Sequence, residues 1–524
     1  MQILIAEPLA PAAVKLLQDE AGWEVIVSNP KEYAQHLPNA DALIVRSVVM
    51  VNAEVLAAAP KLRVIGRAGV GVDNIELPAA TAAGVLVMNT PGGNAVSVAE
   101  HTLALMLSLA RSIPRAAAST RAGKWEKRKF MGTELRGKTV GIVGLGSIGR
   151  EVVKRAAAFE MRIIASDPYV HSQTAKDVGV ELVELPTLYA ESDYITLHTA
   201  LTPESNRMLS HDAFARMKKG VRIVNCARGE LIDEDALKQA LASGKVGGAA
   251  LDVFEQEPPD PADPILAMDN FIGTPHIGGS TEEAQAIVGV RIAEQVLEYL
   301  QHGIAINAVN MPALTPEQYR TLGPYSQLGE RLGTFASHIA TGNPKTVRML
   351  YFGKIAELNT HLVRNAGLAG VLQRSLAGKA NFINAMQIAG DRGLTVAERH
   401  DKRTAHIDSV RLELENEAGV TSVEGAVVLD QPRLIQVDGI HCEAPLAGNL
   451  VFLKNQDVPG VVGFIGDVLG KNGINIATFS LGRGNPGAEA VSVIETDAPV
   501  PENVLAELLK NPAVKLARLV KFTN

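Results

Sequence analysis

The sequence predicts an α/β protein with two doubly wound parallel sheets, followed by an α+β segment and a small four-stranded unit. Three observations carry this expectation. Over residues 1–97, short apolar runs alternate with helical patterns, as in βαβ units whose parallel sheet is covered on both faces. At 138–150, the apolar run Lys138–Val143 leads straight into Gly144-Leu145-Gly146-Ser147-Ile148-Gly149-Arg150, a G-x-G-x-x-G turn that opens a helix. Over 449–524 the patterns follow the order β-α-β-β-α-β, a ferredoxin-like arrangement.

Taken in order, the first region has expected strands at Gln2–Ala6, Glu24–Ser28, Ala42–Arg46, Leu62–Gly66 and Val85–Asn89, with helices such as Ala10–Glu20 and Ala53–Ala59 between them. Ligands in such sheets bind beyond the carboxyl ends of strands. Three ends are unusual: Val45-Arg46-Ser47, the glycine-rich Arg67–Asn74 loop, and Pro91-Gly92-Gly93-Asn94. Arg46 and Arg67 are either solvated surface charges or ligand contacts, and their strand-end positions favour contacts. Ser97–Ile113 reads as one long helix, apolar nearly all round and hence buried between domains or subunits. The basic, aromatic stretch Gly123–Phe130 is either a solvated charge run or a contact to an anionic substrate across a subunit interface.

In the second region the glycines have distinct uses. Gly144 permits the tight turn, Gly146 lets a pyrophosphate approach the backbone, and Gly149 lets the helix pack close to the sheet. The helix N-terminus offers amides to phosphates. The next strand, Arg162–Ser166, ends at Asp167, roughly 20 residues past the glycines, where a ribose-binding acid belongs. An acid there repels a 2′-phosphate, so the expected cofactor is NAD. Further strands are expected at Tyr194–His198, Arg222–Cys226, Gly248–Asp252 and Phe271–Thr274. They aim His198 and Thr199, Arg228, Asp252 with Glu257, and His276 at one edge. The helix Thr281–Gln301 then returns the chain to the first domain, and Asn310 opens a linker-like passage.

Later strands are expected at Val347–Phe352, Val410–Leu414, Val423–Leu429 and Leu434–Val437, with a helix over Leu368–Ser375. Asn381–Gly393 carries no readable chemistry. The last unit has strands at Leu450–Lys454, Ile474–Leu481, Glu489–Glu495 and Leu516–Phe522.

Composition narrows the function classes. The chain of 524 residues is too long for one core, and its 47% hydrophobic and 20% charged content is globular. A net charge of −7 argues against a nucleic-acid surface. Two cysteines, Cys226 and Cys442, give no disulfide framework and fit a reducing compartment. Residues 1–7 read as a strand rather than a signal peptide, and no apolar run is long enough to span a membrane. A soluble, cytoplasmic protein is expected. No His/Cys cluster shows metal-ligand spacing.

The candidate chemistry is hydride transfer. A nicotinamide carries the hydride, and the protein supplies orientation, a proton carrier and charge stabilisation. His276 is the expected base for a hydroxyl proton, Glu257 its orienting partner, and Arg228 a planar fork for a substrate carboxylate. This combination at one edge points to a 2-hydroxy acid dehydrogenase. Cys226 has no triad-like context and is expected to contact the cofactor instead. His101, on the apolar helix, receives no catalytic role.

These residues resemble the D-isomer-specific 2-hydroxyacid dehydrogenase family, in its long form with C-terminal regulatory domains. The likeness covers essentially the whole chain. It rests on Val45-Arg46-Ser47, Arg67–Asn74, Gly93-Asn94, Val98-Ala99-Glu100, Phe130-Met131-Gly132, Gly144–Gly149, Asn225–Gly229, Ala250–Phe254 with Glu257-Pro258, and Thr274–Gly279. The resemblance implies a flavodoxin-like substrate domain (1–97 plus 284–310), a Rossmann NAD domain (98–283), an intervening domain (311–446) and a regulatory ACT domain (447–524). It makes Arg228, Glu257 and His276 the catalytic residues. NAD contacts would come from Val70, Gly144, Gly146, Ser147, Ile148, Gly149, Asp167, Thr199, Cys226, Ala227, Arg228, Asp252, His276, Gly278 and Gly279. Arg46, Ser47, Gly93, Asn94, Arg228 and His276 would hold the substrate. The implied reaction oxidises 3-phosphoglycerate to 3-phosphohydroxypyruvate, the first step of serine formation. L-serine is the implied effector, held at Asp457 and Asn475, with Asn455 and Val458 departing from the usual residues beside them. A homodimer or homotetramer is implied. The alternatives are a glyoxylate or hydroxypyruvate reductase of the same family, which usually lacks the two C-terminal domains, and a non-catalytic NAD-sensing protein.

Overall fold

The computed structural model describes residues 1–312, 314–376, 380–402 and 407–522. The strands of the first region are β1 (Gln2–Ile5), β2 (Glu24–Val27), β3 (Ala42–Val45), β4 (Val64–Arg67) and β5 (Leu86–Met88). They form a parallel sheet in the order β2-β1-β3-β4-β5. β1 and β3 are buried almost throughout, as continuous apolar strands in a doubly covered sheet should be. One cover is the helix Glu282–His302, which packs on the helix Pro11–Gln18 and on β4. Thr281 caps it through its hydroxyl, and Gly303 ends it at a φ of 71°. A Cβ on Gly66 of β4 would lie 2.8 Å from Ile292 and 2.9 Å from Val296, so this glycine lets the returning helix sit close. The passage from Asn310 is more than a linker. The Asn310 carboxamide accepts from Val87 N–H (2.9 Å) and donates to the Val85 carbonyl (2.9 Å), stitching the chain to the edge of β5.

The long helix expected over Ser97–Ile113 is instead two, Ala95–Arg111 and Ile113–Arg121, with Ser112 left-handed between them (φ 50°). Pro114, in the first turn of the second helix, explains the break: it cannot continue the first helix but suits a helix start. The first helix buries one face against the helix Ser147–Ala158 and the neighbouring sheet; the second buries no residue. Gly123–Phe130 contains a short turn, Lys127–Phe130, with Trp125 78% exposed.

The second sheet comprises β6 (Thr139–Val143), β7 (Arg162–Ser166), β8 (Glu181–Leu182), β9 (Tyr194–Leu197), β10 (Val221–Asn225), β11 (Val246–Leu251) and β12 (Phe271–Gly273). All run parallel, in the order β12-β11-β10-β9-β6-β7-β8. The two-residue β8 is too short to leave a pattern in the sequence. Strand order reverses between β6 and β9, the topological switch point where a dinucleotide crevice forms. Register then does the positioning. Val143 pairs with Ser166 and Leu197, Leu197 with Asn225, Asn225 with Leu251, and Leu251 with Gly273. One rung later, Gly144, Asp167, His198, Cys226, Asp252 and Thr274 all leave the sheet at the same edge.

The third sheet is mixed: β13 (Thr346–Phe352), β14 (Thr395–Asp401), β15 (Ser409–Asn416), β16 (Gly419–Val428), β17 (Gln431–Val437) and β18 (Ile440–Pro445), in the order β14-β13-β15-β16-β17-β18. Only the β13–β14 pair is parallel. The sheet edges β14 and β18 and the helix Pro316–Ile339 went unforeseen. The last sheet, β19 (Asn449–Gln456), β20 (Ile476–Arg483), β21 (Glu489–Thr496) and β22 (Val514–Lys521), is antiparallel in the order β20-β21-β19-β22. With helices Val461–Lys471 and Glu502–Leu508 it is the ferredoxin-like unit expected.

The segment without readable chemistry has a structural use. Asn381 Nδ2 donates to the Gly84 carbonyl (2.7 Å), and Asn384 Nδ2 reaches the Ala82 carbonyl at 3.5 Å. These carbonyls end the helix Leu77–Ala82, so the third sheet's helical layer grips the first sheet's domain there. A continuous apolar core runs the same way, from Ile292 and Val296 through Tyr299 and Tyr319 to Leu332 and Phe452.

Candidate active site

The edge of the second sheet faces the loops of the first. At the glycine turn, Gly144 is left-handed (φ 93°), and a Cβ on it would lie 2.8 Å from the His198 carbonyl carbon. A Cβ on Gly149 would collide with the backbone of Gly144. Gly146 differs: it is exposed, and a Cβ there would meet nothing within 4 Å. Its backbone faces open space at the N-terminus of the helix Ser147–Ala158, as a pyrophosphate cradle requires. Ser147 is exposed beside Gly92, and Ile148 is half-buried behind it. The Asp167 carboxylate accepts from Leu145 N–H (2.8 Å) and Tyr169 N–H (2.9 Å), so it stands over the turn. Thr199 follows His198, its amide packed under Gly144. These residues fit a dinucleotide such as NAD.

His198 itself is no base. Burial pushes its pKa down to about 3, and Nε2 is hydrogen bonded to Thr196 Oγ1 at 2.9 Å. Cys226 is no nucleophile: burial pushes its thiol up to about 12, against a smaller opposing hydrogen bond with Thr102.

Arg228 is held by the turn after β10. The buried Asn225 donates to the Arg228 carbonyl (2.7 Å) and accepts from Ala227 N–H (3.0 Å). The guanidinium donates to the Ala227 carbonyl (2.6 Å) and pairs with Asp73 at 3.0 Å. It lies on Gly71, where any Cβ would strike it. Around it gather Arg67 and Arg46. Burial, and then the charges of Arg228 and Arg46, lower the Arg67 pKa against the opposing pull of Asp73 and Glu7. Three guanidiniums at three strand ends, those of β3, β4 and β10, gather positive charge on this floor, which suits an anion.

Glu7, Asn74 and Asp73 belong to this site and were missed. The 4%-exposed Glu7 accepts from the amides of Arg46 (2.8 Å) and Val49 (3.0 Å), shaping the loop that presents Arg46 and the exposed Ser47. Asn74 closes it from the other side, donating to the carbonyls of Arg46 (3.0 Å) and Val49 (2.7 Å). An acid ending an otherwise apolar strand was the available signal for Glu7. Val70 is fixed by Asn89, which donates to its carbonyl (2.5 Å). Gly93 packs on Val288, and Asn94 on Gly279.

His276 sits in the left-handed region (φ 53°), with its amide donating to the carbonyls of Asp252 (2.9 Å) and Thr274 (3.0 Å). Nδ1 meets Glu257 Oε2 at 2.8 Å, so the ring's other nitrogen, Nε2, is not engaged by Glu257. Hydrogen bonding to Glu257, opposed by burial and aided by the Glu257 and Asp252 charges, raises the His276 pKa. Burial would raise Glu257, but the His276 bond and charge and the Phe254 N–H together hold it below its ordinary value. Asp252 is 1% exposed, and its carboxylate takes donors from Thr274 (2.6 Å), Ile277 N–H (2.9 Å) and Gly278 N–H (2.7 Å). It therefore braces the His276 loop.

Asp457 and Asn475 lie apart from this edge, on the last sheet's unit. Each has its own partner: Asp457 pairs with Arg483 at 3.5 Å, and Asn475 donates to Asp497 at 2.8 Å.

Residues 103–278 match the family of the D-isomer specific 2-hydroxyacid dehydrogenase NAD binding domain, and residues 321–438 match the D-3-phosphoglycerate dehydrogenase intervening domain. The chain is 43% identical over 517 residues to the D-3-phosphoglycerate dehydrogenase of Methanocaldococcus jannaschii, covering 98% of each chain. It is 40% identical to that of Archaeoglobus fulgidus, covering 97% of this chain and 98% of the relative. The solved NAD-dependent formate dehydrogenase of Staphylococcus aureus, in complex with NAD, aligns with a TM-score of 0.54 and 30% identity over 60% of this chain and all (100%) of that one. A glycine turn with a strand-end acid over it, a His–Glu pair and a floor of arginines thus coincide with full-length relatedness, and the chain belongs to the D-3-phosphoglycerate dehydrogenase family of NAD-dependent 2-hydroxyacid dehydrogenases.

Proposed function

We propose that the protein oxidises the C2 hydroxyl of 3-phosphoglycerate, giving 3-phosphohydroxypyruvate and NADH as the first step of L-serine formation. The observation that carries this reading is the His276–Glu257 pair beside the arginine floor. NAD, when bound, supplies the hydride acceptor. The chain's own residues do the rest. His276 Nε2 takes the hydroxyl proton, and Glu257 favours the imidazolium that results. Arg228 leaves Asp73 for the substrate carboxylate and draws charge from the forming carbonyl oxygen. Arg46, Ser47, Arg67, Gly93 and Asn94 receive the remaining anionic groups. Val70, Gly144–Gly149, Asp167, Thr199, Cys226, Ala227 and Gly278-Gly279 seat the cofactor, and Asp252 serves it through the loop it braces.

Residues 1–97 plus 284–310 form the substrate domain, 98–283 the NAD domain, 311–446 the intervening domain and 447–524 the effector domain. L-serine binds near Asp457 and Asn475, the protein is a cytoplasmic homodimer or homotetramer, and no described helix is long and apolar enough to cross a membrane. Calorimetric titration with L-serine showing no heat at any concentration would remove the effector claim.

The test of the activity is NADH formation from 3-phosphoglycerate beside NADH consumption with glyoxylate and hydroxypyruvate. Turnover of the phosphorylated acid is expected to dominate. Preference for glyoxylate would make the protein a reductase, and inertness toward all three would make it a binding protein. Asp167→Ala is expected to raise KM for NAD about tenfold or more, since a hydrogen bond to a charged group contributes roughly 1.5–3 kcal/mol. It should also narrow the preference for NAD over NADP, read from paired kinetics with both cofactors; an unchanged ratio would remove Asp167 from the ribose.

A further inference from the structure

The loop that carries His276 is held from below by one face of the helix Ala95–Arg111. Asn94, at its N-terminus, touches Gly279; Val98, one turn on, lies 3.6 Å from where a Cβ on Gly278 would stand. His101, the next residue on that face, places Nε2 3.1 Å from Thr274 Oγ1 and 3.3 Å from Asp252 Oδ1. Thr274 has one hydroxyl proton, and it goes to Asp252 Oδ1 at 2.6 Å. Its oxygen can therefore only accept from His101, which fixes the proton on Nε2. The Asp252 carboxylate that receives these bonds also receives the amides of Ile277 and Gly278. His276 occupies a left-handed conformation that costs a non-glycine residue on the order of 1–3 kcal/mol, so the loop persists only if its neighbours over-determine it.

We infer that His101 is a positioning residue for the reaction: its Nε2–H aligns Thr274 and Asp252, and through them fixes the backbone that aims the His276 ring. This rests on the reading of His276 as the acid–base group. His101 acts through Thr274 and Asp252, the groups its ring contacts. The requirement is for a neutral or charged N–H donor at the Nε2 position, which a glutamine amide can also supply.

The experiment compares His101→Leu and His101→Gln with the wild type in the full-length protein. Two readouts are taken: steady-state kinetics, and amide hydrogen exchange of the 272–281 segment without ligands. His101→Leu is expected to lower kcat about 10- to 100-fold, the effect of a small misplacement of a reacting group. It should also speed exchange at Ile277 and Gly278. His101→Gln should restore both. Wild-type kcat and exchange in the leucine variant would overturn the inference, as would a glutamine variant no better than leucine. Should the wild type itself fail to oxidise 3-phosphoglycerate, the activity reading falls, while exchange in the unliganded protein still decides whether His101 braces the loop.

Discussion

His276→Ala is expected to lower kcat for oxidation about 10²- to 10⁴-fold, the usual contribution of a positioned acid–base group. The side chain is 53% exposed, so its loss should leave the fold intact. The pH dependence has a definite sign. Oxidation needs the neutral ring, and the hydrogen bond to Glu257 raises its pKa. The acid limb of kcat/KM should therefore lie above the ordinary histidine range of about 6.5. Glu257→Gln removes the charge that favours imidazolium. The limb should then move to lower pH while the plateau falls, because the ring loses both its orienter and part of its basicity. A limb that stays in place would separate Glu257 from the titrating group.

The second large effect is at Arg228. Arg228→Ala should lower kcat/KM for 3-phosphoglycerate by roughly 2–5 kcal/mol, the cost of truncating one partner of a charged hydrogen-bonded pair. That is about 30- to several-thousand-fold. Arg228→Lys should recover little, since an ammonium cannot reproduce the planar fork. Arg228→Ala also frees Asp73, its partner at 3.0 Å, and leaves an acid beside the incoming anion. Asp73→Asn in the Arg228→Ala background should therefore recover part of the loss, measured as kcat/KM. No recovery would show that Asp73 leaves the substrate's path on its own.

The residues most legible in the sequence are those that strand ends present directly. Gly144, Gly146 and Gly149 follow an apolar run, Asp167 closes the next strand, and Arg228, Asp252 and His276 each lie within three residues of another. The register explains why this works: six parallel strands end on one rung, so neighbours in space are readable as positions after a strand. Residues that act through backbone groups were not legible. Glu7, Asn74 and Asn225 hold loops by bonding main-chain amides and carbonyls whose approach is set only by tertiary folding. Asp73 lay within a glycine loop recognised for its backbone, and nothing local marks it as the partner of an arginine 155 residues away. The fold was harder past residue 315. β14 reads Thr-Val-Ala-Glu-Arg-His-Asp, an edge strand with little apolar alternation, and its parallel pairing to β13 needs a crossover no local pattern reveals. Asn381 likewise acquires meaning only when Gly84 stands opposite.

In the proposed reaction the C2 hydrogen leaves as hydride while His276 takes the hydroxyl proton. The most direct measurement is turnover of 3-phosphoglycerate deuterated at C2, with the NADH analysed by mass spectrometry. One deuterium is expected in each NADH formed, none released to solvent, and the same transfer at a much lower rate in His276→Ala. Deuterium appearing in water, or unlabelled NADH, would contradict it.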